Sequence, residues 1–154
     1  LIDFSKISDD LSNVKSVLKP LSKNLKIANK DMSLDNKNIA VANVEQPSLM
    51  AYYEQIKVEL KFLLDYSDTL LRKLRGQIYK EILNNYSKSL TDRAMDKLIE
   101  SDENYVNLYI KHLEIREVYE KYIAVVNGFT QRSYSLTNLV KIYEHDLQGI
   151  TVHE

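Results

Sequence analysis

The sequence predicts an all-α fold: a long antiparallel helical hairpin with a short connecting helix and an N-terminal helical arm, in an oligomeric assembly. Three observations predict it. The 154 residues hold only 3 Gly and 2 Pro, too few breakers for the many turns of a sandwich or barrel. Apolar residues recur at helical spacing over most of the chain. The resulting seams are extensive for so short a chain, which points to association through helix faces.

At the N-terminus, Phe4, Ile7, Leu11, Val14, Leu18, Leu21 and Leu25 alternate steps of three and four. This is a heptad seam, suited to self-association or to packing on the chain's own hairpin. Pro20 falls off the seam and is expected to kink or divide the helix. The stretch 29–48, rich in Asn, Asp, Lys and Ser, reads as a loop or linker. Residues 1–46 are thus an arm and linker, and 47–154 a hairpin core.

The first long helix is expected to begin near Pro47-Ser48 and to end near Asn84-Asn85-Tyr86, with Leu49, Tyr53, Ile56, Leu60, Leu64, Leu71, Leu74, Ile78 and Ile82 on one face. A short helix follows, capped by Ser89 or Thr91. Ser101-Asp102-Glu103 then reads as an N-cap with acids in the first turn. The last helix spans Asp102 to about Leu147, on a seam of Val106, Tyr109, Leu113, Tyr122, Val125, Phe129, Leu136, Val140, Tyr143 and Leu147. Gly128 interrupts it, and mid-helix Gly costs about 1 kcal/mol relative to Ala.

The 44% hydrophobic content suffices for a modest core, and no apolar run approaches a membrane span. The opening residues lack the order of a secretory leader. With 0 Cys, disulfides and thiolate metal sites are excluded. No phosphate-cradling, dinucleotide, zinc-protease or serine-hydrolase motif occurs. His112, His145 and His153 do not repeat at a ligand spacing. The sequence therefore predicts no catalytic residues, no metal and no cofactor.

The net charge of −1 conceals a division. Residues 71–97 carry 7 Lys/Arg against 3 Asp/Glu, net +4, whereas 98–154 carry 5 against 9, net −4. The basic block centres on LRKLRGQIYK, residues 71–80. On a helix Lys57, Lys61, Arg72 and Arg75 form one stripe beside the apolar face, and Lys73 and Lys80 a second. Such stripes can follow a phosphodiester backbone. They also suit a solvated face with intrahelical pairs, such as Asp68 with Arg72. Of 14 aromatics 11 are Tyr and none Trp. Tyr79, beside the cations, suits base stacking or simply the edge of a seam.

The segment RSYSLTNLVKIYEHDLQG (132–149) resembles the end of the bacteriophage recombination mediator family UvsY, through Arg132, Ser133, Tyr134, Leu136, Asn138 and Gly149. SDENYVNLYIKHLEIREVYEKY (101–122) is similar to the acidic start of that family's last long helix. Lys73-Leu74-Arg75 matches its basic-x-basic element for single-stranded DNA, with Ile78-Tyr79 where two aromatics are usual. Thr137 and Glu81 depart from the pattern, standing where members often have a cation and Gly. The resemblance covers roughly 55–149.

It implies a mostly helical, non-enzymatic protein that assembles into a ring-like homo-oligomer in the cytoplasm of an infected bacterial host cell. Such a protein binds single-stranded DNA, helps displace the single-strand-binding protein and loads a RecA-like recombinase, with no membrane partner. Lys73 and Arg75 are the expected phosphate contacts, supported by Arg72, Lys80, Tyr79, Lys57, Lys61 and Arg132. The competing reading is a helical structural or scaffolding protein with no nucleic-acid role. There the cations at 72–80 would pair with Glu114, Glu117 and Glu120 of the acidic final helix.

Overall fold

The computed structural model describes residues 1–85 and 90–148; Tyr86, Ser89, Gly149, His153 and the side chain of Leu147 fall outside them. The described residues form four α-helices and no strand: α1 (Val14–Met32), α2 (Ile39–Asn85), α3 (Asp92–Ser101) and α4 (Glu103–Gln148), preceded by a 3-10 turn at Phe4–Lys6.

The arm is less regular than its heptad spacing predicts. Up to Asn13, short polar side chains bond the nearby backbone: Asp3 Oδ1 accepts from the Ser5 N–H (3.2 Å), Asn13 Oδ1 from Ser8 (3.1 Å) and Asp10 Oδ1 from Ser12 (2.9 Å). Such local bonds compete with helix. Leu11 adopts a left-handed conformation, φ 56°, and is fully buried. Val14, Leu18 and Leu21 are buried with it, so this seam lies on the chain's own core.

Both prolines are inside continuous helices, Pro20 in α1 and Pro47 in α2. Neither divides its helix. Each lies on the solvent side, as do Ser16 and Asn43 four residues earlier, so the carbonyl that loses its amide donor stays exposed to water. α2 consequently starts at Ile39, eight residues before Pro47, and the expected linker shrinks to 33–38. Asn38 marks the start: its Oδ1 accepts from the N–H groups of Ala40 (2.9 Å) and Val41 (3.3 Å). The boundary expected at 46/47 falls within this helix.

The other caps follow the sequence. Thr91 Oγ1 accepts from Ala94 N–H (3.3 Å), and Asp102 Oδ1 from Asn104 (2.9 Å) and Tyr105 (3.1 Å).

α2 buries Tyr53, Ile56, Leu60, Leu63, Leu71 and Ile78. Along α4 the inward residues are Leu108, His112, Ile115, Val118, Tyr122, Phe129 and Leu136. The first turns of the expected α4 seam are therefore on the wrong face: Val106, Tyr109 and Leu113 are exposed. Two apolar stripes run there side by side, and periodicity alone does not choose between them. The partners of α2 on α4 fall in number as α2 rises. Gln46 bonds Phe129, Tyr53 stacks on Phe129 (centroids 5.0 Å, 19°), and Ser67 bonds His112. A separate small cluster, Ile78 with Met95 and Ile99, joins α2 to α3.

Candidate nucleic-acid interface

The basic stretch 71–80 lies in the C-terminal half of α2, whose buried face at Leu71 and Ile78 fixes where its cations point. Residues two apart on an α-helix diverge by about 200°. Lys73 and Arg75 accordingly leave opposite flanks of α2. Arg75 turns to α3, where its Nη2 pairs with Asp96. Lys73 turns to the other flank and lines a cleft of about 390 Å³ between α2, α4 and the loop holding Asp9 and Asp10.

The remaining expected contacts divide similarly. Arg72 pairs with Asp68 at 2.6 Å, the i,i+4 bridge expected from the sequence. Lys57 pairs with Glu54 and Lys61 with Asp65, again within α2. Exposed pairs of this kind are weak, so they hold side chains in place without forbidding other partners. Lys73 and Lys80 are exposed and form no ion pair among the described residues. Tyr79 is 43% exposed. Gly76 is exposed too, and a Cβ built on it would meet nothing within 4 Å. Lys73, Gly76 and Lys80 thus form an open surface.

Arg132 is not on that surface. It is 4% exposed, one turn beyond Phe129 on the inward face of α4. Its Nη1 donates to Gln46 Oε1 and to the Ala42 carbonyl (3.4 Å), while Nε and Nη2 have no partner among the described residues. Gln46 Nε2 in turn donates to the Phe129 carbonyl at 2.7 Å. Arg132 therefore belongs to a buried polar link between α2 and α4. This burial sets Arg132 apart from the other expected nucleic-acid contacts, which are on the surface of α2.

Among the described residues no acid of the final helix forms an ion pair with the basic block. Glu114 pairs with Lys15 of α1 at 3.1 Å, and Glu117 with Lys121 of α4. Arg75 finds its acid on α3 instead. One residue the sequence reading missed is Lys111. It lines the Lys73 cleft from α4, and its Nζ donates to the Asp10 carbonyl at 3.0 Å. Its signal was present: Asn104, Asn107, Leu108 and Lys111 stand at i, i+3, i+4 and i+7, as Leu70, Lys73, Leu74 and Gln77 do on α2.

His112 is the one buried histidine among the described residues. Arg116 Nη2 lies 3.0 Å from its Nε2, and Ser67 Oγ 2.8 Å from its Nδ1. Arginine can only donate, so Nε2 accepts, Nδ1–H donates to Ser67, and Ser67 donates to the Leu64 carbonyl (2.6 Å). This chain of bonds requires a neutral ring. Burial, and then the Arg116 charge, lower its pKa. Ser67 is fully buried, so the pair joins two helices and offers no accessible nucleophile.

Among the described residues no helix is long and apolar enough to cross a membrane, and no group of three or more His, Asp or Glu side chains is placed to hold a metal ion. No family model, curated protein or solved structure matches the chain.

Proposed function

We propose that this chain is a single-stranded DNA-binding recombination mediator, without enzymatic activity of its own, that helps load a RecA-like recombinase onto DNA covered by single-strand-binding protein. The observation that carries the reading is the open face of α2 at 73–80. Lys73 and Lys80 form no ion pair there among the described residues, Tyr79 is partly exposed one residue before Lys80, and Gly76 lets a chain approach the helix backbone closely. Single strands bind such mixtures of cations and aromatic rings with little sequence preference.

The order of partners along α2 and α4 supports an antiparallel hairpin as the scaffold of this face. Assembly as a ring-like homo-oligomer is supported by Val106, Tyr109, Ile110 and Leu113, an exposed apolar stripe at i, i+3, i+4 and i+7. Several linked copies would raise the affinity of a patch with few cations per chain.

The test is binding of labelled oligodeoxythymidine and of duplex DNA at two salt concentrations. Single strands should bind more tightly than duplex. Changing Lys73 and Lys80 together to Ala should lower the log–log salt slope by about 1.4 per engaged chain, at roughly 0.7 per phosphate contact. Equal affinity for duplex would reduce the patch to generic charge attraction and sink the reading.

A scaffolding protein is the second reading, favoured by the pairing of Arg72, Arg75, Lys57 and Lys61 with acids of the same chain. It expects those pairs to matter for stability and expects no DNA binding.

A further inference from the structure

The cleft beside Lys73 is built from two helices and a loop, and its chemistry is specific. Lys73 comes from α2 and Lys111 from α4, and Gln77, Asn104 and Asn107 add carboxamides over a leucine floor. Its volume, about 390 Å³, lies within the range of small-ligand sites. Carboxamides both donate and accept, as base edges require, and two lysines from facing helices suit one phosphate. The opposite rim is acidic. Asp9 and Asp10 border the same cleft, yet neither lysine forms an ion pair with them among the described residues. Asp10 directs its carboxylate at the Ser12 N–H (2.9 Å), and Lys111 reaches only the Asp10 carbonyl. Lys111 still acts on Asp10 through space: after the bonds from Ser12 and Ser8, its charge helps hold that carboxyl below the ordinary range, so the two ammonium groups stand near carboxylates without closing an ion pair on them among the described residues.

We infer that this cleft seats one nucleotide of a single-stranded chain, its phosphate between Lys73 and Lys111 and its base against Gln77, Asn104 and Asn107, with Asp9 and Asp10 as the charges it must displace or outcompete. The inference rests on the single-stranded DNA reading and deepens it: the phosphate partner of Lys73 is Lys111 across the cleft, and Arg75, two residues away in sequence, instead braces α3. The acidic loop weakens binding, so the arm sets the affinity of the site.

The experiment compares oligodeoxythymidine binding by the wild-type chain, Lys111→Gln, Arg75→Gln and Asp9→Asn/Asp10→Asn at two salt concentrations, with a melting curve for each. Gln at 111 keeps a donor for the Asp10 carbonyl, and Asn at 10 keeps an acceptor for Ser12. Expected are a several-fold loss for Lys111→Gln with a salt slope lower by at most about 0.7, because Lys73 still holds the shared phosphate, a several-fold gain for the Asp variant, and an unchanged slope for Arg75→Gln. Wild-type binding by Lys111→Gln, or no gain from removing the two acids, overturns the cleft while leaving the α2 face as the DNA site. A slope lowered by Arg75→Gln alone does the same. Wild-type protein that fails to bind at low salt overturns both. Inorganic phosphate and deoxythymidine monophosphate serve as competitors: displacement of the oligonucleotide by phosphate as readily as by the mononucleotide overturns the assignment of a base to the carboxamides.

Discussion

Gly128 and Gly76 both sit well inside long helices, and their surroundings are opposites. A Cβ at Gly128 would overlap Met32 Sδ, because the end of α1 crosses α4 there. Around Gly76 the space is open. The first region is closed by the chain itself: Tyr53, Tyr122 and Phe129 are buried together, with Gln46 and Arg132 bonded beneath. The second has one packed side, the small Ile78–Met95–Ile99 cluster, and an outer face that none of the described residues covers. Helix propensity disfavours Gly equally in both places. Packing accounts for the first glycine and offers no account of the second. The difference teaches where one chain is complete and where its surface is left for something else.

The largest expected effect probes the closed region. Phe129→Ala removes a ring stacked on Tyr53 and should cost about 3–5 kcal/mol, with Ile78→Ala nearer about 2 kcal/mol because its cluster can collapse on fewer neighbours. Urea unfolding of the two variants checks this. Equal losses would mean that α3 holds its end of α2 as firmly as α1 holds the middle, and the contrast would disappear.

A smaller effect comes from His112, at the inner edge of the closed region. Its folded-state pKa lies below the ordinary 6.5, owing first to burial and then to Arg116. Between the two values the unfolded chain binds a proton that the folded chain refuses, so stability rises with pH through that window. The contribution is complete above pH 6.5 and is lost as pH falls through the folded pKa. His112→Gln should flatten this part of the stability profile while leaving the profile above it parallel to wild type. A wild-type profile in which stability rises as pH falls below 6.5 would mean a charged ring and a different bonding order around Ser67.

Much of the packed interior is legible in the sequence. Tyr53, Ile56, Leu60, Leu71 and Ile78 announce their face by spacing, and Thr91 and Asp102 announce helix starts by side-chain chemistry. What escapes has identifiable causes. The stretch 39–46 reads as a linker because its inward residues are Ala42 and Gln46, one small and one polar, so apolar spacing is silent there. Pro47 looks like a helix start because Pro favours the first turn, whereas here its solvent-facing position lets the helix run through. On α4, His112 occupies the buried face only because Ser67 and Arg116 satisfy it, and a sequence does not show partners 45 residues away. The site divides in the same manner. The charge block and its intrahelical pair Asp68–Arg72 are local and readable. The separation of Lys73 from Arg75, the approach of Lys111 and the burial of Arg132 depend on tertiary placement.

The smallest effect is expected at the two glycines. Gly76→Ala adds a methyl group to an exposed helix position with no neighbour within 4 Å, so it should stabilise the isolated chain by about 0.4–1 kcal/mol, through helix propensity and a less mobile unfolded state. Gly128→Ala gains the same propensity but must displace the Met32 thioether, and overpacking costs about 1–3 kcal/mol. Its net effect should be neutral to destabilising, and its melting temperature should lie below that of Gly76→Ala. The stability order tests the packing contrast, and DNA binding tests what the open face is for. If a nucleic-acid backbone passes close over Gly76, the added methyl group should weaken single-strand binding while raising the melting temperature, a combination that general destabilisation does not produce. If Gly76→Ala is more stable and binds as wild type, the glycine has no part in the interface, and Lys73 and Lys80 hold the strand away from the helix axis. If Gly76→Ala is less stable than wild type, some neighbour already covers that face in solution, and the open region is a contact between copies of the chain.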